Sequence, residues 1–291
     1  MSRSKGFSLV ELAVALAIIA LLLAGALIPF STQIEVRNVA DTQRAMESVR
    51  EAIIGFAQAT GRLPCPANGN TPAGAAGAGT EVKPFLPCSF AFGVVPWTTL
   101  GVPETDAWGR RFSYGVSPAF ADVSSTTWST TPTTTPTSPA NQNPLCTPTP
   151  TPNPPTTFAL CSLGDIAVFT RGGTTTTAVP LSTAIPAVII SHGKNGAGAW
   201  QTNGIRLNPI PSGNDEAANV NGNMTATPAV PLGYLSRAFY SRTPTPAASG
   251  CVDPIPGGPA STAPLCEFDD IVVVISSSTL IARMVAAGRL P

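Results

Sequence analysis

The sequence predicts an α+β fold: a long N-terminal helix, transmembrane then amphipathic, packed on a small antiparallel β-sheet head with long disulfide-pinned loops and a short C-terminal helix. Three observations predict it. Phe7 to Phe30 is an apolar run with a single charge, Glu11, and a helical pattern continues beyond it. Several later segments are short, rich in β-branched or aromatic residues, and bounded by Gly, Pro or Ser, as strands are. Six cysteines fall in three sequence-near pairs, in a chain whose 31 Pro and 26 Gly interrupt regular structure.

The helix comes first. Residues 1–6 carry Arg3 and Lys5 ahead of the apolar run. As a helix, residues 7–30 extend about 36 Å, which spans the ~30 Å hydrocarbon core of a bilayer. The basic stub keeps the short end cytoplasmic and sends the long end across. Over residues 31–60, Val39, Met46 and Ile53 recur every seven positions, with Val49 and Phe56 on an adjoining stripe. Arg37 with Asp41 and Glu47 with Arg50 have ion-pair spacing. Gly61, with Pro64 soon after, supplies the stop, so the helix covers roughly Phe7–Ala59, about 80 Å. Pro29 interrupts it and clashes with the carbonyl of Gly25, which predicts a kink or a locally melted turn.

Residues 61–291 form the head. Its candidate strands are Phe112–Val116, Asp165–Thr170, Ala187–Ser191 and Ile271–Ile275. Ser278–Pro291 reads as a helix with a Ser cap and a closing Gly288; Leu280, Ile281, Met284 and Val285 make its apolar face. An antiparallel sheet laid on the exported half of the long helix buries both. Between Ser124 and Thr157, 22 of 34 residues are Thr or Pro, and no charge occurs from Val123 through Gly164. This insertion at 124–157 cannot form a core and reads as an extended, polyproline-like excursion. The Ala/Gly-rich stretch Thr71–Thr80 is a smaller one.

Composition excludes much. Sixteen basic residues balance sixteen acidic ones, so the basic face that nucleic-acid binding needs is missing. One histidine is a poor kit for acid–base chemistry, and no enzyme is expected. The cysteine pairs fit an oxidising compartment.

Glu11 is the odd residue, because an acid inside a membrane helix costs about 2.5–3.5 kcal/mol and marks a partner or a function. Read with its neighbours, Lys5-Gly6-Phe7-Ser8-Leu9-Val10-Glu11 resembles the processing site of type IV prepilins and type II secretion pseudopilins. The resemblance implies cleavage between Gly6 and Phe7 by prepilin peptidase, N-methylation of Phe7, and a glutamate fifth in the mature chain. Cleavage there frees an ammonium at a helix start. In low dielectric the Glu11 carboxylate of one subunit attracts the Phe7 amine of the next. The plainer alternative is that Glu11 offsets its own helix N-terminus. An ordinary secretory signal is the rival for the whole segment, with Ala24-Gly25-Ala26 as its small-residue site and Leu27 as the new terminus.

Further matches extend into the head. Pro96-Trp97-Thr98-Thr99-Leu100-Gly101 and the stretch Asp106-Ala107-Trp108-Gly109 through Tyr114 resemble the passage of major pseudopilins into their first strand. Ile190-Ser191-His192-Gly193-Lys194-Asn195-Gly196 is similar to the glycine-rich turn after a later strand. In that family a calcium site follows the turn. Asn195 stands where such a turn often has Asp, and Asp269 and Asp270 form a family-like acidic pair. With Asp215 and Glu216 they are the candidate calcium residues, against the reading of 214–223 as a turn at Asn221-Gly222 with solvated charges. No cofactor is required; structural Ca2+ is the one candidate.

Cys65 with Cys88, Cys146 with Cys161, and Cys251 with Cys266 are the expected disulfides among fifteen connectivities. His192 reads as a strand end rather than a catalytic base. Trp97, Trp108, Trp128 and Trp200 read as core or loop anchors rather than a sugar-binding set.

The expected function is a pilin-like structural subunit, a pseudopilin or minor pilin. Its partners are prepilin peptidase, other pilin-like subunits in a homo- or hetero-filament, and the inner-membrane assembly platform. The expected location is the bacterial inner membrane, single-pass, with a periplasmic head, and a filament or the cell surface after assembly. The alternative is a membrane-tethered or secreted disulfide-rich binding module that never polymerises.

Overall fold

The computed structural model describes residues 8–82, 88–121, 158, 162, 164–172, 178–208, 211, 213–222, 224–226, 235–254 and 261–290. Of 22–31, 224–226 and 235–236 it describes the backbone alone. Gly6, Phe7, Cys146, Cys161, Trp128 and the Thr/Pro-rich insertion lie outside the described residues. The chain divides into two units, Met1–Asp41 and Thr42–Pro291.

Helix α1 runs Leu9–Thr60. It stays helical through Gly25 and Pro29, so the turn there is not melted. In the first unit the apolar side chains between Leu9, 87% exposed, and Leu21, 77% exposed, all face outward, and Arg37 pairs with Asp41 at 3.7 Å. Among the described residues no helix is long and apolar enough to cross a membrane. The expected span falls partly on Phe7 and on the side chains of 22–30, outside those residues.

In the second unit, the helical spacing of Met46, Val49 and Ile53 becomes a buried stripe, joined by Ile54 and Ala57. Each of the Met, Val and Ile side chains stabilises the fold by about 1.5–3 kcal/mol on burial. Glu47 and Arg50 pair on the outer face at 2.5 Å. The helix stops as expected: Gly61 has φ +79°, and its N–H still bonds the Ala57 carbonyl.

The stripe rests on an antiparallel sheet of β1 (Phe92–Val94), β2 (Ser113–Val116), β5 (Ala187–Ser191) and β8 (Ile271–Ile275), in the order β1-β2-β5-β8. Tyr114 pairs with Ile189, and Val188 with Val274. The family-like Asp106 segment thus leads into the second strand, since β1 precedes it. Two short helices, α2 (Trp97–Leu100) and α3 (Pro118–Ala121), flank β2.

A single sheet was expected, but there are two. β3 (Ile166–Thr170), β4 (Val179–Ile185), β6 (Met224–Ala226) and β7 (Leu235–Tyr240) form a second sheet in the order β4-β3-β7-β6. β3 pairs with β7 in parallel, so this sheet is mixed. Strand alternation explains the layering. Ala187 and Ile189 of β5 face the helix, while Val188 and Ile190 pack against Ile166, Val168, Ile185 and Phe239 of the second sheet. The opposite face of β3 and β7 places Ala167, Phe169, Ala238 and Tyr240 under α4 (Asn214–Asn221). A continuously apolar strand such as Ala187–Ser191 is what burial on both faces demands.

Helix α5, Ser277–Ala286, opens on Ser276, whose hydroxyl accepts the Thr279 N–H. Leu280 and Met284 are buried, but Val285, expected on the same face, is 43% exposed, because it lies one residue round the helix from Met284. Arg111 is fully buried. Its guanidinium bonds Glu104 and the carbonyls of Gly69, Thr71 and Thr202, and lies 4.5 Å over the Trp97 ring. This clamp ties the start of the Ala/Gly stretch to the head.

Candidate functional site

The amino-terminal site begins at Ser8, just before the first residue of α1. The Ser8 N–H donates to Glu11 Oε2 at 2.9 Å, and the Glu11 N–H donates to Ser8 Oγ at 3.2 Å. This reciprocal pair is a capping box, in which each side chain satisfies a helix-end donor of the other residue. Within one chain, Glu11 therefore caps its own helix start, the plainer of the two roles read from sequence. The Ser-x-x-Glu spacing was the available signal for it.

In the head, three carboxylates converge. Oxygens of Glu216, Asp269 and Asp270 lie within 4.8 Å of one another. Glu216 comes from the first turn of α4, and the two aspartates from the approach to β8. The turn after β5 holds them in place: the Asn195 N–H donates to Asp269 Oδ2 at 2.7 Å, and Asn195 Nδ2 donates to Glu216. Gly193 at φ +54° meets Asp269 so closely that a Cβ there would collide with its backbone oxygen. The Asn195 side-chain oxygen accepts from Ala197 N–H, so this residue positions the cluster rather than offering it an oxygen.

Burial, and then the charge of Asp270, push Glu216 up to about 8, and burial first of all raises Asp269 to about 6. Asp269 Oδ1 is buried without a hydrogen-bond partner among the described residues. An oxygen-only donor set with crowded, desolvated carboxylates is the chemistry a hard divalent cation takes.

Asp215, expected beside Glu216, is not in this cluster. Adjacent helical residues diverge by about 100° around the axis, and Asp215 points the other way. There it accepts from Arg171 at 2.7 Å and Arg242 at 2.8 Å, while Arg242 also reaches Asp253 at 3.4 Å. All four side chains are buried. Asn221-Gly222 is likewise no hairpin turn: Gly222, at φ +57°, is the left-handed cap that ends α4. Asn219, inside the helix, clamps Tyr240 and donates to Asp270 Oδ2 at 2.8 Å.

His192 does end a strand, but it has company the sequence did not reveal. Ser113 Oγ lies 2.8 Å from His192 Nε2, and Asp270 Oδ1 lies 3.5 Å from His192 Nδ1. The residue types are those of a hydrolytic triad. Yet Ser113 is 4% exposed in a paired strand, and His192 is 1% exposed. A nucleophile must reach its substrate, and this one is sealed in the core.

Cys65–Cys88 and Cys251–Cys266 are bonded as expected. The second bridge adjoins the ionic network, since Arg242 donates to the Cys266 carbonyl and Asp253 accepts its N–H.

Residues 1–27 match the family model described as the prokaryotic N-terminal methylation motif. The chain thus carries the prepilin-type signature. No curated protein and no solved structure matches it.

Proposed function

We propose that the protein is a structural filament subunit, a pseudopilin or minor pilin, rather than an enzyme. Cleavage between Gly6 and Phe7 and methylation of Phe7 precede its assembly. The helix over Phe7–Phe30 anchors it, single-pass, in the bacterial inner membrane, with its head in the periplasm and its partners the assembly platform and other pilin-like subunits. The observation that carries the proposal is the methylation motif at residues 1–27, set on a helix whose apolar side chains from Leu9 to Leu21 are exposed. Such a surface needs lipid or other helices around it. On assembly, Glu11 exchanges its local cap for the Phe7 ammonium of a neighbour, a pairing strengthened where water is scarce.

The resemblance of the segments Pro96–Gly101, Asp106–Tyr114 and Ile190–Gly196 to major pseudopilins supports the pseudopilus as the destination. Glu216, Asp269 and Asp270 hold a structural calcium ion there, which neutralises the three acids and fastens α4 to the approach of β8.

The experiment is Glu11→Val in cells, with processing and filament incorporation measured separately. The substituted subunit is processed normally and is lost from filaments. Undiminished incorporation rejects the assembly role and favours the non-polymerising tether, for which the local Ser8–Glu11 cap is the whole function of Glu11.

A further inference from the structure

Away from the acidic cluster, the head contains a cavity of about 250 Å3. Its aromatic walls are Phe90, Phe92 and Trp200, and its polar groups are Asn68, Asn221 and Arg206. Arg206 is the sole ionisable residue among those lining it. A tight loop sets Arg206 opposite Trp200: the two form a β-bridge, and the guanidinium carbon lies 5.8 Å from the ring centroid. Gly69 lies so close to the Trp200 ring that a Cβ there would overlap it, which fixes the indole.

Arg206 donates through Nε to the Gly198 carbonyl and through Nη2 to the Val220 carbonyl, both at 2.7 Å. These bonds orient the guanidinium and neutralise nothing. Among the described residues nothing accepts from Nη1 or from the second Nη2 hydrogen, and this edge receives a carboxylate with two parallel bonds. Among the described residues no carboxylate pairs with Arg206, and they include every acid of the chain except Asp122. Burial weakens its hold on the proton, and no charge among the described residues offsets that. A partly desolvated cation without a counter-ion carries a cost, and a bound anion lowers it.

We infer that this cavity binds an acidic monosaccharide of the uronic acid class, its carboxylate on Arg206 and its ring against Phe90, Phe92 and Trp200. The charge requires an anion, and the aromatic walls suit the apolar side of a sugar ring. The Asn68 amide nitrogen and the Asn221 side chain make none of the hydrogen bonds found among the described residues, and both are exposed at the rim to meet hydroxyls. The volume lies below the ~300–1,000 Å3 of pockets for drug-sized ligands, so a single ring is the right scale.

The test is calorimetric titration of the full chain in detergent with glucuronate, glucose and acetate. Glucuronate binds saturably, and at least about tenfold more tightly than glucose or acetate, a difference of about 1.4 kcal/mol. Asn221→Asp, on the exposed last residue of α4, places a competing carboxylate beside Arg206. It weakens glucuronate at least about tenfold while the thermal midpoint stays unchanged. Equal binding of glucose overturns the role of the charge. Equal binding of acetate overturns the role of the ring and leaves a bare carboxylate, such as a partner's acidic side chain, as the occupant. Unweakened glucuronate in the variant, or no saturable binding, overturns the site.

Discussion

Neutralising Glu216 without changing its shape, by Glu216→Gln, tests the acidic cluster. Glu216 is 3% exposed, and its pKa is raised from 4.5 to about 8. Between those two pH values the folded chain holds a proton that the unfolded chain has released, so stability falls as pH rises through the window. At 1.36 kcal/mol per pKa unit, the loss approaches about 5 kcal/mol by pH 8 in metal-free protein. Asp269, raised to about 6, adds to the fall at the acidic end. At the proposed site calcium competes with these protons, so its affinity is expected to rise across the same range. At a hundredfold excess over its dissociation constant it stabilises by about 2.7 kcal/mol. For a head of this size that is about 5–10 °C in thermal midpoint. The glutamine variant still accepts the Asp269 N–H through its amide oxygen. It should match the parent chain at pH 5, exceed it at pH 8 without calcium, and lose most of the calcium gain. The assay is thermal unfolding of the full chain in detergent at pH 5 and 8, with calcium and with chelator. A flat metal-free profile, or an equal calcium gain in the variant, would refute the reasoning.

Three further outcomes follow from the packing. Ile53→Ala opens the core between α1 and the first sheet and lowers stability by about 2–5 kcal/mol in denaturant unfolding. Replacing both Cys251 and Cys266 by Ser releases a loop of sequence separation 15 and costs about 3 kcal/mol, read by the same assay under non-reducing conditions. Arg171→Met leaves Asp215 short of one buried partner and destabilises by about 3–5 kcal/mol, more than truncation of the exposed Arg37, which should cost under 1 kcal/mol.

Legibility in the sequence followed the strength of local patterning. The helix and its stop at Gly61 and the C-terminal helix were readable because each repeats a periodicity or carries a cap, and strands β2, β5 and β8 because each is a short β-branched or aromatic run bounded by Gly, Pro or Ser. Of the second sheet only β3 was, as the expected strand Asp165–Thr170; β4, β6 and β7 were not. β7 has Arg237 at its centre, where the side chain pairs with buried Asp165 at 2.5 Å, and a charge inside a strand hides the apolar pattern. Its parallel partner β3 is far away in the chain, and no local signal announces such pairing. At the acidic cluster, Asp269, Asp270 and Glu216 were identified from sequence. The divergence of Asp215 from Glu216 depends on α4 being a helix, which its Asn-rich composition concealed. The Ser113–His192–Asp270 contact joins three distant strand ends and appears only in the fold.

The most direct test is mass spectrometry of the N-terminal peptide from membranes of cells with an active prepilin peptidase. A chain beginning at N-methylated Phe7 is the predicted result. A mature chain that begins at Met1 or at Leu27 would contradict the account.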